Sequence, residues 1–229
     1  MSKTLRQVIH SIEQTMAGYY NKQLPLSAAD FLVSKDELHN LFGLQAEQSE
    51  DWQARASVWV QSEEEESFIG LHFDHQITEH LNLNDPTAGI THDNLDSFCV
   101  VAEEVSHFHQ LVQHLTDRTS ASKLELEAQG EIDKVVVAGV RLADDHGDAH
   151  LQALTKKVYQ EGQIVAENKD LYWQASKLAA ELWQSLFAAL PHHRNILANP
   201  KINSHLQRIF AAKGSEKLRQ ITEPLKASA

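Results

Sequence analysis

The N-terminal part of the chain has the apolar spacing of helices. Residues three and four positions apart share one face of a helix, and such residues recur here at Leu5, Val8, Ile9, Ile12 and Met16. A second helical segment runs from Ser34 to Phe42, and Ser34 followed by Glu37 has the form of a capping box. We therefore predict N-terminal helices within residues 1–44, with the apolar face of the first turned towards a core.

The next segment changes from helical spacing to alternation at every second residue. The alternating positions are Val58, Val60, Phe68, Gly70, His72 and Asp74. We expect residues 56–60 and 67–74 to form an antiparallel β-hairpin, with the acidic run Glu63–Glu66 as its solvated tip.

Helical spacing returns after the hairpin and continues towards the C-terminus. We predict one helix that ends near Leu115 and a second from Lys123 to about Leu142. A long helical segment follows to Leu190, either continuous or broken near Gly162. A short amphipathic helix comes after Pro200, and the last residues have the composition of a flexible tail.

This order of elements indicates an α+β fold that is predominantly helical, with a small antiparallel hairpin sheet packed on long helices. A length of 229 residues suits a single domain. Its parts are N-terminal helices in 1–44, the hairpin and candidate-site helices in 52–142, C-terminal helices in 149–212 and a flexible tail in 213–229.

Composition excludes several classes of function. The formal net charge of −12 repels the phosphate backbone, so we predict no nucleic-acid partner. The longest apolar runs, 98–102 and 135–140, are far shorter than the ~20 residues that span a bilayer, and the N-terminus lacks the apolar stretch of a signal peptide. These patterns predict no membrane partner and a cytoplasmic location.

The cysteine and histidine content narrows the kind of metal site the chain can build. Cys99 is the single cysteine, so a site made of several thiolates is excluded and its ligands must be histidines and carboxylates. Half of the 14 histidines lie between residues 72 and 114. Histidine is a common ligand of zinc and related metals, so this region is where we expect a site.

Candidate ligands occur on the two helices that follow the hairpin. Glu103 and His107 are one helical turn apart, about 6 Å along the axis, so both can reach one ion. On the second helix, Glu127, Glu131 and Lys134 share a face. They are either a solvated salt-bridge ladder or, because much of that helix is apolar, partly buried carboxylates that need a partner or a metal. Periodicity leaves open which of Glu125, Glu127 and Glu131 faces His107.

The run Glu103-Glu104-Val105-Ser106-His107 looks like the H-E-x-x-H helix of the zincin metallopeptidases, with glutamate in place of the first histidine. Glu127 on the next helix is placed similarly to the glutamate ligand of the gluzincin branch. The resemblance covers about residues 56–140 and implies a zincin-like core.

This resemblance also assigns roles. It implies that Glu104 is the general base that activates water, that His107 and Glu127 are ligands, and that Glu103 occupies the vacated histidine position. Glu131 is a further candidate ligand. A Glu-His-Glu set is more negative than His-His-Glu, which weakens Zn²⁺ as a Lewis acid and favours another divalent ion.

A second resemblance starts from the same residues. Glu104 and His107 also form an E-x-x-H pair, which is similar to the pairs carried by di-iron carboxylate bundles on two of their helices. The sequence lacks a second such pair, although Glu127 or Glu131 would supply carboxylates.

The leading hypothesis is a protein that binds a divalent metal ion, zinc or another, and hydrolyses a peptide or related amide bond. The alternative is a non-enzymatic helical binding or scaffold protein whose buried glutamates and histidine form a polar network without metal. Trp173, Leu178 and Trp183 are candidates for a helix–helix contact, either within the chain or between subunits, and a homo-oligomer or a protein partner stays open.

Overall fold

The structure is a computed structural model, and it describes residues 3–43, 54–63, 66–146, 148–160, 169–189 and 195–223. Its helices are α1 (Lys3–Tyr20), α2 (Lys35–Phe42), α3 (His75–Leu83), α4 (Leu95–Thr116), α5 (Lys123–His146), α6 (Asp148–Gln160), α7 (Lys169–Ala189), α8 (Pro200–Ala211) and α9 (Gly214–Thr222). Strands β1 (Ala56–Glu63) and β2 (Glu66–Phe73) pair antiparallel. The predicted α+β class, with helix predominant, is confirmed.

The N-terminal predictions are confirmed. The five apolar residues that mark one face of α1 are each exposed by 2% or less. Ser34 caps α2, and its side chain and that of Glu37 complete the reciprocal bonds of a capping box. The helical face of α1 packs on α4, so this helix is an integral part of the core.

The hairpin forms as predicted, but the residues that it buries are not the alternating set that the sequence indicates. Leu71 and Phe73 enter the core, whereas Phe68 is 44% exposed. The opposite face is also covered near its base, where a Cβ on Gly70 would lie 3.0 Å from Val33. Covering on both faces buries consecutive residues and obscures the period of two. Of the expected acidic tip, Glu63 and Glu66 instead end the two strands and pair with each other, and residues 64–65 lie outside the described residues.

Helix α5 is the centre of the fold. It packs on α4, α6 and α7, and every residue from 128 to 139 is buried. Apolar residues around much of its circumference explain this position, because a helix with apolar residues on most sides packs against neighbours on most sides. The interpretation of Glu131 and Lys134 as a solvated surface pair is therefore wrong, since their exposures are 7% and 9%.

The C-terminal region is more ordered than its composition suggests. The long segment that was expected to end at Leu190 forms two helices, α6 and α7, and Gly162 lies outside the described residues. The expectation of a flexible tail from 213 is wrong for Gly214–Thr222, which form α9. This helix is held in place because Lys217 is fully buried and Ile221 packs in the core. Among the described helices, none has both the length and the apolar character needed to cross a bilayer.

Candidate metal centre

The facing sides of α4 and α5 bring three of the predicted ligands together. One ligand atom from each of Glu103, His107 and Glu127 lies within 4.8 Å of the other two. Among the described residues, no second group of three such side chains is close enough to hold an ion. We call Glu103, His107 and Glu127 the metal-centre cluster.

His107 is the middle of this cluster. Its Nε2 lies 3.6 Å from Oε2 of Glu127, and its Nδ1 lies 3.5 Å from Oε2 of Glu104. Both the Nε2 of His107 and the Oε2 of Glu127 are buried, and neither has a hydrogen-bond partner among the described residues. Two ligands of a tetrahedral ion at zinc-like bond lengths are about 3.4 Å apart, so this pair is spaced like two ligands of one ion.

Gly130 makes room for the imidazole. A Cβ at this position would lie 2.7 Å from Nε2 of His107 and 3.0 Å from Cγ of Glu103. Glycine in a helix interior costs up to about 1 kcal/mol relative to alanine. The close approach of two ligand side chains to α5 offsets that cost, and it gives a reason for a glycine in the middle of a buried helix.

The cluster is nearly enclosed, and its facing atoms, Nε2 of His107 and Oε2 of Glu127, are buried. The side chains of Glu103, His107 and Glu127 are 20%, 11% and 14% exposed.

Burial and charge pull the ionisation of the cluster in opposite directions. Burial lowers the pKa of His107, but the carboxylates of Glu127, Glu104 and Glu103 outweigh it and raise that pKa to about 10. Burial also raises the pKa of Glu127 to about 7, against the lowering effect of His107. The cluster therefore holds more negative charge than its surroundings neutralise, a condition that a proton or a cation relieves.

Glu131 lies beside the cluster but is bonded elsewhere. Lys134 Nζ is 2.8 Å from Oε1 of Glu131 and 3.0 Å from Oε2 of Glu103, and Ser176 donates a hydrogen bond to Oε1 of Glu131. Burial lowers the pKa of Lys134, but the two carboxylates raise it well above the usual value. The sequence indicates the pairing of Glu131 with Lys134, but not the bridge to Glu103 or the contact with Ser176.

The structure identifies Glu127 as the glutamate of α5 that faces His107. Glu125 instead faces α9 and the end of α4, where its Oε1 lies 3.2 Å from Nε2 of His114 and accepts a hydrogen bond from the backbone N–H of Gly214. Two residues along a helix rotate a side chain by about 200°, which explains why Glu125 and Glu127 point to different neighbours.

A second polar cluster between α4 and α5 escapes the sequence pattern. Asp133 accepts hydrogen bonds from the hydroxyls of Tyr20 and Ser106 and from the amide of Gln129. The ammonium of Lys217 donates to Gln129 and Gln110. The sequence gives one indication of this cluster. Asp133 lies next to the apolar run 135–137, and a carboxylate in an apolar stretch is expected to be buried with hydrogen-bond partners. We call these residues the Asp133 network.

Comparison with known proteins adds no relative: no protein-family model, no curated protein and no solved structure matches this chain. The resemblances to zincins and to di-iron bundles therefore depend on the motif residues themselves.

Proposed function

We propose that this protein binds a divalent metal ion through Glu103, His107 and Glu127. The observation that carries the proposal is the pair of buried, unpartnered atoms, His107 Nε2 and Glu127 Oε2, which face each other 3.6 Å apart. Buried polar atoms are nearly always hydrogen-bonded, so two neighbouring exceptions on metal-ligating side chains favour a cation as their shared partner.

The surroundings of His107 fit a ligand role. A metal-bound histidine uses one ring nitrogen for the ion and commonly donates the other N–H to a carboxylate. Glu104 occupies that second position, 3.5 Å from Nδ1, and Gly130 clears the space on the Nε2 side. One nitrogen and two carboxylate oxygens suit Zn²⁺, Mn²⁺ or Fe²⁺.

We further propose that the site hydrolyses a peptide or related amide bond, as the zincin resemblance implies. A divalent ion bound here supplies Lewis-acid chemistry. Glu104 then has one of two roles. Its position against His107 favours that of a positioning residue, while the resemblance implies a general base. A Glu104→Gln variant separates them: a lower metal affinity indicates positioning, whereas lost hydrolysis with unchanged metal content indicates a base.

A scaffold protein without metal is the second candidate function. The observation in its favour is Lys134, which already supplies a positive charge to Glu103 and Glu131. In this case protonated His107 forms ion pairs with Glu104 and Glu127, and the cluster fixes the packing of α4 on α5.

Metal content separates the two functions. We expect near-stoichiometric Zn, Mn or Fe by elemental analysis of protein purified without an affinity tag, and loss of the metal in His107→Ala and Glu127→Ala variants. His75→Ala is the matched control, because His75 is an exposed histidine whose side chain is 80% accessible. A native protein that holds no metal, even after incubation with these ions, would contradict the proposal and favour the scaffold.

A further inference from the structure

Lys134 is the feature of the site that neither resemblance explains. Its ammonium lies between two carboxylates, 3.0 Å from Glu103 and 2.8 Å from Glu131. Glu103 belongs to the metal-centre cluster, whereas Glu131 does not. One cation is therefore shared between a candidate ligand and a carboxylate outside the ligand set.

Glu131 can remain paired with Lys134 when Glu103 does not. Ser176 on α7 donates a hydrogen bond to Oε1 of Glu131, which fixes this carboxylate in place. The other oxygen, Oε2, is buried and has no hydrogen-bond partner among the described residues. The ammonium of Lys134 thus has an acceptor at hand on its own helix if Glu103 binds something else.

We propose that Lys134 is an internal counter-ion that competes with the metal ion for Glu103 and so sets the metal affinity of the site. This inference rests on the proposed metal-binding function. Without metal, Lys134 neutralises Glu103; with metal, Glu103 turns to the ion and Lys134 remains with Glu131. Lys134 also offsets the negative charge of Glu103, a charge that a neutral histidine at this position would not carry.

Removal of the competing charge tests the proposal. A Lys134→Met variant is expected to bind Mn²⁺ and Zn²⁺ at least about tenfold more tightly than the native protein, because a buried like charge next to the ion is removed. Glu131→Gln is expected to weaken binding, because Glu103 is then the one ionised partner of Lys134 among the described residues. In the double variant, the Glu131 substitution should add little, because its effect acts through Lys134.

The measurement is isothermal titration of metal-stripped full-length protein with Mn²⁺ and, separately, Zn²⁺. Lys177→Met is the control, because Lys177 forms an exposed pair with Glu181 on α7. Circular dichroism establishes that each variant is folded. If Lys134→Met does not fold, Lys134→Gln replaces it, since the amide keeps hydrogen-bond donors but not the charge.

The outcomes distinguish this inference from the proposed function. Equal or weaker binding by the Lys134 variant, with clear binding by the native protein, overturns the counter-ion and leaves the metal site. A Glu131→Gln effect of the same size with and without Lys134 also overturns it. Binding by the variant alone supports the counter-ion but contradicts metal binding by the native protein. Absence of binding by both overturns both proposals.

Discussion

The metal-centre cluster and the Asp133 network lie on the same helix pair, yet they treat their carboxylates in opposite ways. Asp133 is fully buried and accepts hydrogen bonds from three side chains. Glu127 is partly exposed, and its Oε2 accepts none among the described residues. Both clusters are polar groups within an apolar interface, and they differ in hydrogen bonding as well as in exposure.

The difference in hydrogen bonding indicates what each cluster is for. A buried carboxylate whose donors are all supplied by the protein has no capacity left for a ligand, and it fixes the packing of the elements that supply those donors. A carboxylate and an imidazole that face each other without hydrogen bonds retain that capacity. We infer that the Asp133 network is structural and that ligand binding belongs to the metal-centre cluster.

The largest expected effect comes from truncation of the satisfied carboxylate. Asp133→Ala leaves the hydroxyls of Tyr20 and Ser106 and the amide of Gln129 without their acceptor. We expect a loss of about 3 to 5 kcal/mol in the free energy of unfolding, measured by urea denaturation. Asp96→Ala, at an exposed aspartate paired with Arg55, is the control and should change stability little. A loss for Asp133→Ala as small as that control would contradict the structural role.

Lys217 gives the next largest effect, as a function of pH. Burial lowers its pKa to about 8, and Lys22 and Lys213 act in the same direction against Asp133 and Glu125. Above that pH the folded protein releases a proton that the unfolded chain keeps until about pH 10.5. Because the unfolded state then binds more protons, stability rises with pH in this window.

The comparison protein for this measurement is Lys217→Met, which cannot titrate. We expect the unfolding free energy of the native protein, relative to the variant, to rise by on the order of 2 kcal/mol between pH 8 and 10. Urea denaturation at several pH values gives the difference. A constant difference across the window would show that Lys217 keeps an ordinary pKa in the folded protein.

Much of the fold follows from the spacing of apolar residues. Helices α1, α2, α4 and α5 and the capping box at Ser34 depend on neighbours three or four positions apart, and the structure contains them. The short helix α3 directly after the hairpin was not predicted. Helix α9 was missed because its position depends on a distant contact, the burial of Lys217 against Gln110 and Gln129. A lysine in a short polar segment is typical of an exposed end, and local composition carries no record of its partners.

The candidate site shows the same division between local and distant information. The spacing of Glu103 and His107 on one helix is sufficient to predict that they approach each other. Whether Glu127 or Glu125 faces His107 depends on how α5 is turned about its axis relative to α4. The sequence does not contain this angle, whereas the structure shows it. The ion pair between Lys134 and Glu103 joins two helices. The sequence therefore indicates Glu131, the partner of Lys134 on the same helix, but not Glu103 across the interface.

Gly130 tests whether the space beside His107 matters. A methyl group at Gly130 would lie 2.7 Å from Nε2, so Gly130→Ala displaces the imidazole and should abolish metal binding. We expect it to destabilise the fold by about 1 to 2 kcal/mol, because overpacking outweighs the gain in helix propensity. Gly18→Ala in α1 is the matched control, since outside its own stretch of helix no described atom lies within 4 Å of the added methyl, and it should be neutral or stabilising. Thermal unfolding with and without Mn²⁺ measures both effects.

The smallest effect on the stability of the metal-free protein is expected from Glu127→Ala. A small loss here, beside the large loss expected for Asp133→Ala, is the sharpest test of the difference between the metal-centre cluster and the Asp133 network. Because Oε2 of Glu127 accepts no hydrogen bond from any described residue, its loss should change the unfolding free energy by about 1 kcal/mol or less, well below the effect of Asp133→Ala. With Mn²⁺ or Zn²⁺ at a hundred times the dissociation constant, the native protein should gain about 3 kcal/mol, whereas the variant should gain almost nothing. A metal ligand contributes little to the stability of the metal-free protein. A large loss of unfolding free energy without metal would therefore contradict the ligand role and indicate that Glu127, like Asp133, is a structural carboxylate.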